Sequence, residues 1–427
     1  MISTGEIIAL SVFSGVYALI MSEKIHRTVA AMVGASVIMV LNIVPWDKIP
    51  KYLDLGTILL LAGMMTVVNI ARDSGLFEYI AIKTAKLSKG DPMKVLLLFS
   101  VITALVSAFL DNVTTVLLLT PMLIYITRQM DVNPVPFLLA EVFASNIGGT
   151  ATLIGDPPNI MIGSAAGLSF NDFITNMAPI AFLDLFVTVG IIYLAYRSAM
   201  NAHSNRSEAI TRSIMSLNEE DAIKDRVLFR KSVVMIAAII VAFFFHDRLG
   251  LQPAVIALTG ASILLLWSGA SPEYALEKVE WATLFFFGGL FIIVGSLVET
   301  GAIDQLADWM LGYVHTEGQA VLLISWFSAF SSAIVDNIPF TATMIPLIKA
   351  MGNSMSTYPL WWALSLGACL GGNGTAIGAS ANVVVVGMAY REGIRITFGD
   401  FLKVGMVIMV ATVGLGSALI WLRYVGL

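Results

Sequence analysis

Long apolar stretches with few charged residues decide what this chain can fold into. Each is long enough to cross a bilayer, which takes roughly 20 residues of helix. Only 12% of the 427 residues are charged, against about 25% in ordinary soluble domains. The stretches do not alternate apolar and polar residues as barrel strands do, so we predict an all-α integral membrane protein. The ten stretches cover residues 5–21, 28–44, 55–71, 137–165, 173–196, 231–247, 252–268, 281–298, 361–389 and 400–423.

Two further apolar stretches, 94–130 and 319–351, are interrupted at their middle by Asp-Asn pairs, at 111–112 and 336–337. Each stretch could form either two spans or a re-entrant helical hairpin with the polar pair at its tip. Irregular backbone at membrane depth is tolerated only where protein or a water-filled cavity covers it. We predict hairpins, and therefore about ten transmembrane helices plus two re-entrant hairpins.

The distribution of basic residues predicts the orientation. When the polar linker 197–230 is placed in the cytoplasm, 19 of the 24 Lys and Arg residues fall on the cytoplasmic side. Cytoplasmic loops of membrane proteins carry this excess of basic residues. We therefore predict a multi-pass inner-membrane protein with both termini outside. Counting each hairpin as two spans leaves the same parity.

The chain repeats itself at a nearly constant offset. Residues 107–121 match residues 332–346 at 5 of 15 positions, and residues 148–159 match 371–382 at 6 of 12. The two units, 1–196 and 231–427, each hold five crossings, so the second unit enters the membrane from the opposite face. Inverted repeats with Gly- and Pro-broken spans at matching positions, here 137–165 and 361–389, are typical of secondary transporters.

Three intramembrane aspartates are the candidate proton carriers. An aspartate at mid-membrane costs about 2.5–3.5 kcal/mol, so Asp111 and Asp336, at equivalent places, are predicted to bind protons or a cation. Asp156 is a third candidate, and its counterpart is the apolar Ala379. The alternative for each aspartate is to cap the helix that follows it.

Polar side chains near the hairpin tips and the broken spans are predicted to bind the substrate, because unwound segments present polar groups to a ligand. One cysteine, Cys369, and four scattered histidines give no metal-ligand cluster, and we expect neither a metal nor a cofactor. A net charge of −5 without a dense basic patch argues against a nucleic-acid partner. The predicted substrate-binding residues are Asn112, Thr115, Asn146, Thr150, Thr152, Asn159, Asn337, Thr341, Asn373, Thr375 and Asn382.

The strings SAFLDNVTTVLLLTP, SNIGGTATLIGDPPN, SAIVDNIPFTATMIP and GGNGTAIGASAN resemble the ArsB/NhaD permease family of the ion transporter superfamily, which includes P protein-like members. Within that family the chain is most similar to the ArsB arsenite efflux permeases. The resemblance covers nearly the whole chain. It implies two inverted repeats, a mobile transport part that moves like an elevator, and exchange of arsenite, antimonite or sodium for protons. It also implies a homodimer and, for an arsenite carrier, a soluble arsenite-stimulated ATPase as partner.

The choice of substrate follows from charge. Distant dicarboxylate symporters of the superfamily carry Ser-Asn-Thr at both hairpin tips, where this chain has Asp-Asn. Two carboxylates would repel a dianion. We therefore expect export of arsenite or antimonite, which are neutral hydroxides near pH 7, in exchange for protons. The alternative is sodium–proton antiport, because hard cations prefer oxygen ligands.

Two other classes fit less well. An intramembrane aspartyl protease would need a Gly-x-Gly-Asp context, and Asp111 and Asp336 lack those glycines. We therefore expect no enzymatic activity. A channel would not need the duplicated broken spans, which suit alternating access better.

Overall fold

The computed structural model describes residues 3–22, 24–201 and 214–426, and within them the chain folds into α-helices and short 3-10 turns. Part of the predicted linker, residues 202–213, lies outside the described residues. The helices before the linker are α1 (Thr4–Ser22), α2 (Arg27–Val40), α3 (Ile49–Tyr52), α4 (Leu55–Asp73), α5 (Leu76–Ser88), α6 (Pro92–Ser107), α7 (Asn112–Gln129), α8 (Val135–Thr150), α9 (Pro157–Ala166), α10 (Phe170–Asn176) and α11 (Ala178–Asn201).

The helices after the linker follow a similar order and similar lengths. They are α12 (Arg226–Leu249), α13 (Pro253–Ser268), α14 (Pro272–Glu277), α15 (Trp281–Glu299), α16 (Ala302–Leu311), α17 (Glu317–Ile334), α18 (Asn337–Met351), α19 (Tyr358–Gly371), α20 (Ser380–Arg391) and α21 (Phe398–Tyr424).

Six of the described helices are long and apolar enough to cross a membrane, namely α1, α4, α11, α12, α15 and α21, and α2, α6 and α13 are shorter apolar helices. The predicted all-helical membrane architecture is confirmed. One predicted span, 173–196, proves to be two helices, α10 and α11. Pro179 explains the break, because a proline has no N–H for a helical hydrogen bond and crowds the preceding turn.

Both Asp-Asn pairs lie where two helices meet at an irregular segment. The chain leaves α6 at Ser107 and starts α7 at Asn112, and it leaves α17 at Ile334 and starts α18 at Asn337. The broken spans are interrupted too, between α8 and α9 and between α19 and α20. The re-entrant path of the hairpins and the opposite insertion of the two units stay predictions.

Close helix contacts recur at the repeat offset of 226. A Cβ on Gly63 would lie 2.8 Å from the carbonyl carbon of Ala257, and a Cβ on Gly289 would lie 2.8 Å from that of Ala31. Both glycines therefore let two helix backbones touch, α4 with α13 and α15 with α2. Small residues serve this purpose between membrane helices.

The buried hydrogen bonds recur as well. Ser107 and Ser332 each donate to a backbone carbonyl of the first helix of a broken span, α8 or α19, at 2.7 and 2.6 Å. Asn159 and Asn382 each donate to carbonyls of the unwound segment before them, at 2.7–3.3 Å. Because buried carbonyls need partners, the two asparagines stabilise the unwound backbone in both halves, and the two serines join the neighbouring helices.

The helices pack into two groups. The frame helices are α1, α2, α4, α12, α13 and α15, and the site helices are α6–α9, α11 and α17–α21. Within each group, equivalent pairs touch, such as α4–α13 and α2–α15 or α6–α8 and α17–α19. Contacts of α4 with α9 and of α15 with α18 join the two groups beside the irregular segments.

Candidate functional site

A small cavity of about 30 Å³ lies where the two Asp-Asn segments, the start of α9 and the starts of α2 and α15 come together. A water molecule needs roughly 10–15 Å³ by this measure, so the space suits one or two waters or a single ion. The charged and polar residues that line it are Arg27, Asp111, Asn112, Asp156, Glu280, Thr283, Asn337 and Ser380.

Of the three candidate aspartates, Asp156 is the one whose side chain does not cap a helix. It is 1% exposed, and Nδ2 of Asn337 lies 3.2 Å from its Oδ2 atom. Although Asp156 precedes α9, its side chain accepts no capping hydrogen bond from that helix. Pro157 and Pro158 begin α9 and have no N–H to donate. The capping alternative is therefore wrong for Asp156.

Asp111 and Asp336 do cap the helices that follow them. Oδ1 of Asp111 accepts from the backbone N–H of Thr114 at 2.8 Å, and Oδ2 accepts from the Thr114 hydroxyl at 2.5 Å. Oδ1 of Asp336 accepts from the N–H of Ile338 at 3.2 Å, and Oδ2 lies 2.6 Å from Nη1 of Arg27. Both aspartates are thus held by the helix that follows them, whereas Asp156 accepts from the side chain of Asn337.

A chain of amide side chains links the two halves behind the cavity. Asn112 donates to Oδ1 of Asn146 at 3.2 Å, and Asn146 donates to Asn373 at 2.9 Å and to Asn382 at 3.0 Å. The Nδ2 atom of Asn373 is buried without a hydrogen-bond partner among the described residues. It is a donor that a ligand could satisfy.

The five predicted threonines are close by, but their hydroxyls are already used. Each donates to a backbone carbonyl, within its own helix for Thr115, Thr150 and Thr341, to the irregular segment after α6 for Thr152 and to the end of α17 for Thr375. These hydroxyls therefore stabilise the backbone, and of the predicted substrate-binding residues Asn112 and Asn337 are the ones that line the cavity.

The structure adds two charged residues that the sequence interpretation missed. Arg27 and Glu280 both lie at the starts of frame helices and line the cavity. Glu280 accepts from the hydroxyl of Thr283 at 3.1 Å, and Asp54 accepts from the hydroxyl of Thr57 at 2.6 Å. The shared acid-x-x-Thr pattern at offset 226 could have revealed Glu280, whereas nothing in the repeat points to Arg27.

Cys369 lies beside polar side chains of the site and not in a purely apolar environment. At the repeat offset of 223 it is the counterpart of Asn146, and it is fully buried. Its Sγ atom lies 3.5 Å from Oδ1 of Asn159, which also accepts from the Ser365 hydroxyl at 2.6 Å. The thiol therefore belongs to the polar network behind the cavity.

Two other buried acids lie away from the cavity. Glu141 accepts from the Thr120 hydroxyl at 3.0 Å. Asp184 has no hydrogen-bond partner for either carboxylate oxygen among the described residues. Neither acid lines the cavity, so we leave both out of the candidate site.

Comparisons with known proteins agree with a transporter. The sequence profile of the family described as "CitMHS: Citrate transporter" matches residues 17–367. An uncharacterised transporter of Mycobacterium bovis is 42% identical over 430 residues, which cover 98% of this chain and 99% of that protein. The human P protein is 33% identical over 507 residues, which cover 99% of this chain and 60% of that protein.

A solved structure supports the fold. The YdaH transporter of Alcanivorax borkumensis aligns with a TM-score of 0.60 at 14% sequence identity, covering 93% of this chain and 97% of that one. The expected membership of the ion transporter superfamily is confirmed. This chain, with its two broken spans around a carboxylate-lined cavity, belongs to the CitMHS family of membrane transporters.

Proposed function

We propose that the protein is a secondary active transporter that exchanges protons for a small inorganic solute at this cavity. The observation that carries the proposal is Asp156, a buried carboxylate that faces the cavity and caps no helix. An ionised carboxylate with so little compensation is costly to bury. A proton or a bound solute relieves that cost, and competition between the two gives exchange.

The size and charge of the cavity favour a small, uncharged or cationic solute. The space of about 30 Å³ admits a single ion as it stands, and a metalloid hydroxide requires the site to widen. It is lined by the acids Asp111, Asp156 and Glu280, with Asp336 beside it, against the one arginine among its lining residues, Arg27. A citrate anion would be repelled by the excess of carboxylates, so we do not extend the family's description as citrate transporters to this chain.

Arsenite and antimonite, exported as neutral hydroxides, are the solutes we propose first. Their hydroxyls would donate to the carboxylate of Asp156, which lines the cavity, and the unpartnered Nδ2 atom of Asn373 lies in the amide chain behind it. Trivalent arsenic also has a high affinity for thiols, and Cys369 lies in the adjoining network. Sodium is the second candidate, because Asp156 and Asp111 offer the oxygen ligands that hard cations prefer.

The movement and setting of the protein are part of the same proposal. Protons from outside would displace the solute from Asp156, and the site helices would then slide against the frame helices in an elevator-like step. We place the linker 197–230 in the cytoplasm, the protein in the inner membrane and both termini outside. The homodimer and the soluble arsenite-stimulated ATPase partner rest on the family resemblance alone.

The test is proton movement in liposomes that contain the purified protein and a trapped pH-sensitive dye. A pH gradient is imposed, and arsenite, antimonite, sodium, lithium and citrate are added separately. We expect arsenite and antimonite to dissipate the gradient, and Asp156→Asn to abolish the effect. The matched control is Asp304→Asn, which removes an exposed acid of α16 and should change nothing.

Each other outcome has a definite meaning. Dissipation by sodium or lithium alone would replace the metalloid with a cation. Dissipation by citrate alone would contradict the charge argument, and so would normal exchange in Asp156→Asn. Silence with all five solutes would overturn the proposed substrates.

A further inference from the structure

We propose that the Arg27 guanidinium takes the place of the transported solute when the site is empty. It then pairs with Asp336 and holds the site helices at one end of their movement. This inference rests on the exchange proposed above and adds the device that prevents the empty carrier from crossing. Arg27 would thus be the positioning residue that makes exchange obligatory.

Arg27 is fixed on the frame side and reaches two segments on the site side. It is the first residue of α2, and its guanidinium carbon lies 5.2 Å from the ring centre of the buried Phe286 on α15. Nη1 lies 2.6 Å from Oδ2 of Asp336 and 2.8 Å from Oγ of Ser380. Ser380 in turn donates to the same Oδ2 at 2.9 Å.

The ion pair between Arg27 and Asp336 is largely shielded from solvent. The side chain of Asp336 is 14% exposed and that of Arg27 is 27% exposed. Removing one partner of such a pair leaves the other charge partly buried and uncompensated, which costs more than losing an exposed salt bridge. The cation on the frame therefore opposes any movement that would carry Asp336 away from it.

The device exists on one face of the protein only. At the repeat offset of 226 the counterpart of Arg27 is Pro253, which carries no charge. At the equivalent place of the other unit, the frame contacts the site helices through a hydrogen bond without a basic side chain, which the Ser164 hydroxyl donates to Oδ1 of Asp54 at 3.0 Å. The empty carrier therefore rests on the face that carries Arg27.

This difference between the two repeat units couples the movement of protons to the movement of the solute. When a proton, a cationic solute or the donating hydroxyls of a metalloid hydroxide occupy Asp336, Arg27 loses its partner and the site helices are released. When the site is empty and Asp336 is ionised, the ion pair forms again. If the empty transporter cannot change its conformation, protons cannot cross the membrane unless solute is carried as well.

The test uses a cysteine that reports which face the cavity opens to. Ile338 lines the cavity, so Ile338→Cys is introduced with Cys369→Ala and labelled with a membrane-impermeant maleimide in right-side-out and inside-out vesicles. With Arg27 present, we expect labelling from one face. Arg27→Gln should raise labelling from the other face several-fold, and Arg27→Lys should keep the one-sided pattern.

A matched control removes a different arginine. Arg128 pairs with Glu392 at the same N–O distance of 2.6 Å but away from the cavity, and Arg128→Gln should label like the parent. If Arg27→Gln also labels like the parent, the proposal is overturned. This readout needs no cargo, so it stays informative even if all five solutes fail in the exchange assay.

A second readout addresses coupling in the protein with its native cysteine. Proteoliposomes carrying Arg27→Gln should lose an imposed pH gradient several-fold faster than the parent when no solute is present. A gradient that lasts as long as in the parent would contradict the coupling role.

Discussion

The two broken spans share one backbone arrangement and differ in chemistry. Both are unwound in the middle, and in both a buried asparagine, Asn159 or Asn382, holds the unwound carbonyls. The first has Asp156 just before its second helix, where the other has Ala379. The duplicated asparagines therefore support the backbone, whereas the carboxylate on which our proposal rests is present in one half only.

The frame helices show the same contrast between contacts that are duplicated and a charge that is present in one half only. The close glycine contacts at Gly63 and Gly289 are duplicated, whereas Arg27 faces the cavity from one half only, with Pro253 as its counterpart. A carrier built from repeats can reach two similar end states because its contacts are duplicated. Under our proposal, the two states differ because Asp156 and Arg27 have no charged counterpart in the other half.

Moving the carboxylate from position 156 to the equivalent position 379 should have the largest effect on proton-coupled exchange. In the double variant Asp156→Ala with Ala379→Asp, the carboxylate would follow the position of Asp156 in the repeat but lose Asn337 as its partner. We expect proton-coupled exchange to fall to background in the liposome assay while the protein still elutes as a folded species in detergent. Ala379→Ser alone is the control and should keep most exchange.

Normal exchange in the swapped variant would show that the two broken spans are chemically equivalent. It would remove the argument that Asp156 is singled out by its surroundings.

Crowding the duplicated helix contacts should instead damage both halves to a similar degree. A Cβ on Gly148 would overlap the backbone of Ala104, and a Cβ on Gly371 would overlap that of Ala329. Overpacking of this kind costs roughly 1–3 kcal/mol. We expect Gly148→Ala and Gly371→Ala each to lower the thermal unfolding temperature in detergent by several degrees.

Gly190 provides the control for that experiment. It lies in α11, and nothing lies within 4 Å of a Cβ built there. Gly190→Ala should therefore leave the unfolding temperature unchanged or raise it slightly, because alanine favours helix by up to about 1 kcal/mol over glycine. A large difference between Gly148→Ala and Gly371→Ala would contradict the equivalence of the two contacts.

Much of this arrangement could be predicted from the sequence, because apolar runs and a constant repeat offset are local signals. They predicted the helices, the interruptions at the Asp-Asn pairs and the broken spans. The geometry of the site was less accessible. Arg27 and Asp336 are 309 residues apart, and whether Asp156 caps its helix depends on where its side chain turns, which no spacing fixes.

The attachment of the linker differs between the halves too. Gly75 and Gly301, at the repeat offset of 226, both adopt positive φ angles, +85° and +80°. A Cβ on Gly75 would overlap the carbonyl oxygen of Ala222 in the linker, whereas nothing lies within 4 Å of a Cβ on Gly301. The linker thus packs on the first unit at this place and leaves the equivalent place of the second unit open.

A surface ion pair holds the linker to that first unit, and it gives the smallest expected effect. Nζ of Lys86 on α5 lies 2.5 Å from Oε2 of Glu219. The hydrogen bond from Lys86 lowers the pKa of Glu219 below its ordinary value of 4.5. A carboxylate with a lowered pKa stabilises the fold above that ordinary value, and the contribution is lost as the pH falls through the pKa of the folded state.

Glu219→Gln should therefore lower the unfolding temperature slightly at neutral pH and match the parent in acid, below the lowered pKa. Lys86→Met should produce the same small loss, and the double variant should add little to either single change, because both remove one interaction. The counterpart of Lys86 in the second unit is Gly312, so no equivalent pair is expected there. Additive losses would show that Lys86 and Glu219 act separately and not as one ion pair.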